Sequence, residues 1–119
     1  MLSLIPPLTQ LNTPYPATAY LTGFLRDCGV DAVQDDLALA LALRLFTADG
    51  LTHLLQVVAA LPKRRQTPAT QAFATAFARY VDCIAPAVEF LQGRDPTLAH
   101  RIAARQLLPV GPRFASLDV

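Results

Sequence analysis

Two adjacent carboxylates, Asp35 and Asp36, are the most suggestive chemical groups in this chain. They follow residues 30–34, whose weak alternation of apolar and polar side chains is typical of a β-strand. In open α/β sheets, ligands bind beyond the carboxyl ends of the strands, and an acidic residue there can bond a ribose hydroxyl. A nucleotide site also needs a glycine-rich turn after the first strand, and here that turn contains no glycine. The sequence therefore favours capping of the next helix by one aspartate, and a small enzyme using Asp35 or Asp36 is an alternative.

The other reactive side chains form no recognisable catalytic or metal-binding group. The two histidines stand alone on separate predicted helices, the two cysteines fit no metal spacing, and neither serine lies in a nucleophile elbow. Both cysteines are predicted to lie on apolar helix faces, where a free thiol behaves as a small hydrophobe. The sequence thus predicts no catalytic residue and no metal site among His53, His100, Cys28, Cys83, Ser3 and Ser116.

Charge and hydropathy restrict the possible partners. The net charge is +1, so no global field attracts nucleic acid. The one basic cluster, at residues 63–65, lacks interleaved aromatic side chains for base stacking and is predicted to be a solvated loop. The longest later apolar run, residues 37–43, is far shorter than the roughly 20 residues that span a bilayer. We expect a cytoplasmic chain that binds neither nucleic acid nor membrane, with no secretory signal at its start.

The pattern of elements predicts a helix-rich α/β fold. A strand at residues 2–5, buried on both faces, ends at Pro6-Pro7, and a proline-rich loop leads to a helix that begins near Pro16 and ends at Gly29. The strand at residues 30–34 completes a β-α-β unit with a short parallel sheet, and about four helices follow. The apolar face of the first helix is predicted to comprise Ala17, Tyr20, Leu21, Phe24, Leu25 and Cys28.

The later helices are predicted from their caps and apolar stripes. They cover residues 37–46, then a segment ending at Leu61, then 67–92 with a kink at Pro86, and finally 95–108. The stripe of the long helix is expected in the core and comprises Ala69, Phe73, Ala76, Phe77, Tyr80, Val81, Ile84, Val88 and Leu91. We interpret the chain as one domain or domain fragment, with a β-α-β unit at 1–37, a helical part at 38–108 and a tail at 109–119.

The composition and the short sheet both indicate apolar surface and strand edges that the predicted elements leave uncovered. The chain is 53% hydrophobic and only 16% charged, although a small domain has a high ratio of surface to volume and needs polar surface. Two strands joined by one helix rarely form a stable sheet, and their outer edges offer unpaired backbone to a further strand. The sequence therefore predicts apolar surface that is either alanine-rich helix exterior or covered by a partner.

The first third of the chain resembles the N-terminus of cobalamin-binding-type radical S-adenosylmethionine enzymes. The similarity lies in a Pro-Pro pair after the first strand, a proline-rich loop, a Tyr-Leu…Leu-Arg helix, and a glycine before a second strand that ends in aspartate. The matching segments are 5–7, 13–16, 20–26 and 29–37. The family binds an iron–sulfur cluster through three closely spaced cysteines, and many of its cobalamin domains use Asp-x-His-x-x-Gly; this chain has neither pattern.

The resemblance implies a non-catalytic module of a larger enzyme, with cobalamin as a possible cofactor. By analogy the loop at residues 6–16 faces the cofactor or substrate, and its expected contacts are Thr9, Gln10, Asn12 and Tyr15. The expected partner is a catalytic domain or another protein. The alternative is a small homodimeric adaptor without a small-molecule ligand, associating through apolar helices around Phe73, Phe77 and Tyr80.

Overall fold

The predicted fold class is confirmed by the computed structural model, which describes residues 1–9, 11 and 15–112. A β-α-β unit with a two-stranded parallel sheet is followed by five α-helices and two short 3₁₀ turns within that part of the chain. The elements are β1 Leu2–Ile5, α1 Ala17–Asp27, β2 Val33–Asp36, α2 Leu37–Leu45, α3 Ala48–Ala59, a 3₁₀ turn at Lys63–Arg65, α4 Pro68–Thr75, α5 Phe77–Leu91, a 3₁₀ turn at Pro96–Leu98, and α6 Ala99–Ala103.

The chain divides into two compact units, Met1–Arg44 and Leu45–Val119. The first contains the sheet, α1 and nearly all of α2. The second contains α3 to α6, and in it α3 packs on both α4 and α5.

The second strand begins later than the sequence predicts, because Val30 closes the preceding helix. Gly29 adopts φ +78°, and its N–H donates to the Arg26 carbonyl, while the Val30 N–H donates to the Leu25 carbonyl. This pair of hydrogen bonds is a Schellman motif, in which the residue after the glycine still belongs to the helix end. The strand therefore starts at Val33, which pairs with Leu2, and ends at Asp36, which pairs with Ile5.

The face of α1 that is turned toward the sheet carries two threonines and one leucine. Thr22 is the buried residue of α1, only 3% exposed, and the half-buried Thr18 and Leu25 lie on the same face. Most of the predicted apolar face points away instead: Tyr20 is 78% exposed and Phe24 is 64% exposed. The spacing of four residues places both rings on one face of the helix, but it does not determine whether that face is turned toward the sheet.

The strand β1 is covered on one face only, which corrects the prediction that both faces are buried. Ser3 is buried beneath α1, whereas Leu2 and Leu4 on the opposite face are 57% and 44% exposed. Side chains alternate between the two faces of a strand, and α1 packs against β1 and β2 from one side. The second face lacks a packed helix in the described residues of this unit.

The long helix predicted for residues 67–92 is two helices. Thr67 caps α4 as expected, with its hydroxyl accepting the Thr70 N–H at 3.2 Å. The break lies at Ala76, with φ −92° and ψ 9°, and not at Pro86, which sits inside α5. The aromatic rings of Phe73 and Tyr80 meet across this break, with centroids 5.5 Å apart.

The predicted core stripe is largely half-buried, but its two ends, Ala69 and Leu91, are exposed. The last helix is also shorter than predicted. Asp95 caps the 3₁₀ turn that precedes α6, and α6 ends at Ala103. The reason is that Arg105 takes a left-handed conformation, with φ 56°, and the Gln106 N–H returns to the Arg101 carbonyl. This is the same type of helix ending as at Gly29, built on a residue with a side chain.

Replacing Gly29 by alanine is expected to destabilise the first unit by about 1–2 kcal/mol, because a Cβ atom strains the left-handed conformation. Gly23→Ala is the matched control: Gly23 lies inside α1 with nothing within 4 Å of an added Cβ, so higher helix propensity is expected to stabilise by up to about 1 kcal/mol. Urea denaturation followed by circular dichroism measures both. Equal effects of the two substitutions would contradict the role given to Gly29.

Candidate functional site

An open cleft of about 360 Å³ lies at the carboxyl ends of β1 and β2, inside the first unit. This is the edge at which parallel sheets bind ligands. The cleft combines two carboxylates, an amide, a phenol and an aliphatic hydroxyl, and its lining residues are Ile5, Tyr15, Thr18, Ala19, Gln34, Asp35 and Asp36.

The structure brings one of the four predicted loop contacts into this cleft. Tyr15 lines it and is more than half exposed. Thr9 is not among the lining residues, and its hydroxyl donates to the Pro6 carbonyl at 2.7 Å, which folds the loop back on itself. Gln10 and Asn12 lie outside the described residues.

The two aspartates of the cleft are engaged by backbone groups. One carboxylate oxygen of Asp36 accepts the Leu39 N–H at 2.8 Å, so Asp36 caps α2 as predicted. One carboxylate oxygen of Asp35 accepts the Asp36 N–H, also at 2.8 Å. Each carboxylate keeps a second oxygen for other partners. The two aspartates therefore offer the cleft hydrogen-bond acceptors, suited to hydroxyl or amino groups.

Two lining residues, Thr18 and Gln34, were missed by the sequence argument. Their positions in the sequence could have indicated them. Gln34 directly precedes the aspartates on the strand, and Thr18 lies in the first turn of α1, at the carboxyl edge of the sheet. Both follow once the register of the strands is known.

The described residues of the cleft offer no histidine ligand to the cobalt of a corrinoid cofactor. Residues 1–9, 11 and 15–112 also contain no group of three or more His, Cys, Asp or Glu side chains that could hold a metal ion. His53 and His100 lie on α3 and α6 of the second unit.

A second concavity, in the helical unit, is apolar. It has a volume of about 650 Å³ between the start of α4, the aromatic pair of Phe73 and Tyr80, and the segment that follows α6. Among the residues that the structure describes, its lining carries hydroxyl groups but no charged side chain, and comprises Thr67, Pro68, Ala69, Ala72, Phe73, Tyr80, Pro109, Gly111 and Pro112.

The two cysteines differ in environment. Cys83 is buried on α5, and its thiol lies 3.5 Å from the Tyr80 carbonyl. Cys28 directly follows α1 and is exposed, which corrects the prediction that both thiols lie on apolar faces. Burial raises the pKa of the Cys83 thiol, because the thiolate loses its hydration.

Comparison with protein-family models, with curated proteins and with solved structures found no match to this chain. In the described ranges, no single helix is long and apolar enough to cross a membrane. Helices α2 and α3 reach that length and composition only as a pair, with a break between them. The function must therefore be argued from the chain itself.

Removal of the Asp36 cap is expected to destabilise α2 by about 1 kcal/mol in Asp36→Ala, because the Leu39 N–H loses its acceptor. Asp36→Asn keeps an oxygen at this position and is expected to cost much less. Thermal denaturation of the two variants provides the measurement. Equal losses would mean that Asp36 acts through its charge and not as a cap.

The thiols are expected to react at different rates with a disulfide reagent at pH 8. Exposed Cys28 reacts first, while Cys83 is protected by burial and by its raised pKa, since only the thiolate attacks. The chromophore released by the reagent is measured in the native chain and again after unfolding in guanidinium. We expect one thiol to react rapidly and one slowly in the native chain, and Cys28→Ser to remove the rapid phase. A rapid phase that survives in Cys28→Ser contradicts the assignment.

Proposed function

We propose that the first unit is a non-catalytic docking module whose sheet is completed by a strand of a partner protein. One observation carries the proposal: a two-stranded parallel sheet with helical cover on one face and apolar side chains exposed on the other. Parallel sheets are normally covered on both faces, and fewer than three strands are marginal in water.

The outer edge of β1 is the expected acceptor. The Met1 carbonyl accepts the Val33 N–H at 2.9 Å, and backbone direction alternates along a strand, so the polar groups of Leu2 and Leu4 point away from β2. Natural edge strands are usually protected by charged side chains or proline. Residues 2–5 contain neither, whereas β2 ends in two aspartates.

An apolar strand from a catalytic domain is the partner that the N-terminal resemblance implies. On this interpretation the chain positions a domain that supplies the chemistry, and it needs no nucleophile or metal ligand of its own. The acceptor-lined cleft would then lie at the edge of the completed sheet. The alternative, self-association through Phe73, Phe77 and Tyr80, is less favoured, because all three rings are half-buried and Phe73 already packs against the other two.

Hydrogen exchange of the intact chain tests this proposal. An incomplete sheet opens easily, so amides of β1, α1 and β2 are expected to exchange with opening free energies below about 2 kcal/mol. Amides of α3 and α5, which pack on each other, are expected to be better protected and serve as the internal control. Strands as well protected as α3 and α5 would mean that the sheet needs no partner, and the proposal would fail.

A further inference from the structure

The outward face of α1 carries an aromatic pair where a solvated helix normally has polar residues. Tyr20 and Phe24 lie one turn apart and are among the most exposed aromatic side chains of the described residues. Large exposed apolar groups that cluster mark interaction surfaces. This face points away from the sheet, so it is separate from the outer edge of β1 and from the docking proposed above.

Small residues beside the aromatic pair leave a hollow on the same face. The hollow is shallow and open to solvent, and it is lined by Ala19, Tyr20, Gly23, Phe24 and Asp27. A Cβ atom added at Gly23 would meet nothing within 4 Å. One helix face thus carries both two large projecting rings and two small residues, Ala19 and Gly23, over which a ring can pack.

We propose that α1 pairs with α1 of a second copy of this chain, antiparallel and about a two-fold axis. When this axis passes between residues 21 and 22, each residue n of one copy faces residue 43 − n of the second copy. Tyr20 then lies over Gly23 of the second copy, and Phe24 lies over Ala19 of the second copy. Each ring fills a hollow, and the contact is self-complementary, as a two-fold interface requires.

Charge supports the same arrangement. Asp27 is the last residue of α1, where a carboxylate is unfavourable because the carbonyl end of a helix is negative. Its carboxylate makes no hydrogen bond or ion pair with any described residue. The same axis places Asp27 opposite Pro16 of the second copy. There α1 begins without a side-chain cap and without an acidic residue in its first turn, and free N–H groups favour a negative charge.

The small surface area that this contact would bury indicates a weak dimer. A Tyr or Phe side chain buries about 150–250 Å² in full, so the exposed parts of Tyr20 and Phe24 supply about 300 Å² per chain. Stable interfaces bury about 800 Å² per partner. The dimer is therefore expected to dissociate at micromolar concentrations and to form as concentration rises.

Sedimentation velocity from about 10 µM to about 1 mM, under reducing conditions, measures this association. The natural chain is expected to shift from monomer to dimer across this range. Tyr20→Ala removes two rings per dimer and is expected to raise the dissociation constant about 100-fold. Asp27→Asn is expected to raise it about fivefold. Leu91→Ala, which truncates an apolar side chain 80% exposed on α5, is the matched control and leaves the dimer intact.

Gly23→Leu separates association from folding. It fills the hollow and is expected to abolish the dimer, while the monomer keeps or gains thermal stability through better helix propensity. A natural chain that stays monomeric to about 1 mM overturns the proposal, and so does a dimer that persists in both Tyr20→Ala and Gly23→Leu. Either result leaves the exchange test of the incomplete sheet unaffected, because that test is read in the dilute monomer.

Discussion

The backbone ladder between β1 and β2 fixes most of what the first unit can do. Its parallel register sets Ile5 beside Asp36, so the carboxyl ends of both strands meet at one edge. That edge holds the acceptor-lined cleft, and the aspartate that closes the ladder also starts α2 by capping it. A single strand pair thus determines the cleft, the start of the next helix, and the two outer edges that remain open.

The orientation of α1 follows from the same sheet. Thr22 is buried on the helix that packs against both short strands, and Ser3 and Ala32 are buried in the same unit. The inward face of α1 carries Thr18, Thr22 and Leu25, so Tyr20 and Phe24, which lie one turn apart on a different face, are turned outward. The exposed aromatic pair is therefore a consequence of how little sheet there is to cover. Both proposals, a partner strand that completes the sheet and a second copy of α1 that covers the aromatic pair, supply apolar surface that this small sheet lacks.

Local signals predicted much of the fold. Proline and glycine delimited β1 and α1, and Thr67 and Asp36 acted as the caps their positions indicated. Predictions that depend on tertiary structure, such as the start of β2 and the position of the helix break, were wrong. The start of β2 moved because Val30 is held by the Leu25 carbonyl, and the break at Ala76 has no residue-type signature, whereas Pro86 has one and does not break its helix. Of the residues that line the cleft, Tyr15, Asp35 and Asp36 were named from their places after the strands and in the loop. Thr18 and Gln34 were not, because strand register and helix rotation bring them to the cleft.

The hydroxyl of Thr22 is buried in the described part of the chain without a hydrogen-bond partner. A buried polar group without a partner costs about 1–3 kcal/mol, a large share of the stability of a small domain. We therefore expect chains whose sheet and helix face stay uncovered to unfold more often, and to be cut more readily by proteases, than chains covered by a partner. If a partner completes this unit, the abundance of the chain will follow the abundance of that partner, with no dedicated regulator needed to match the two.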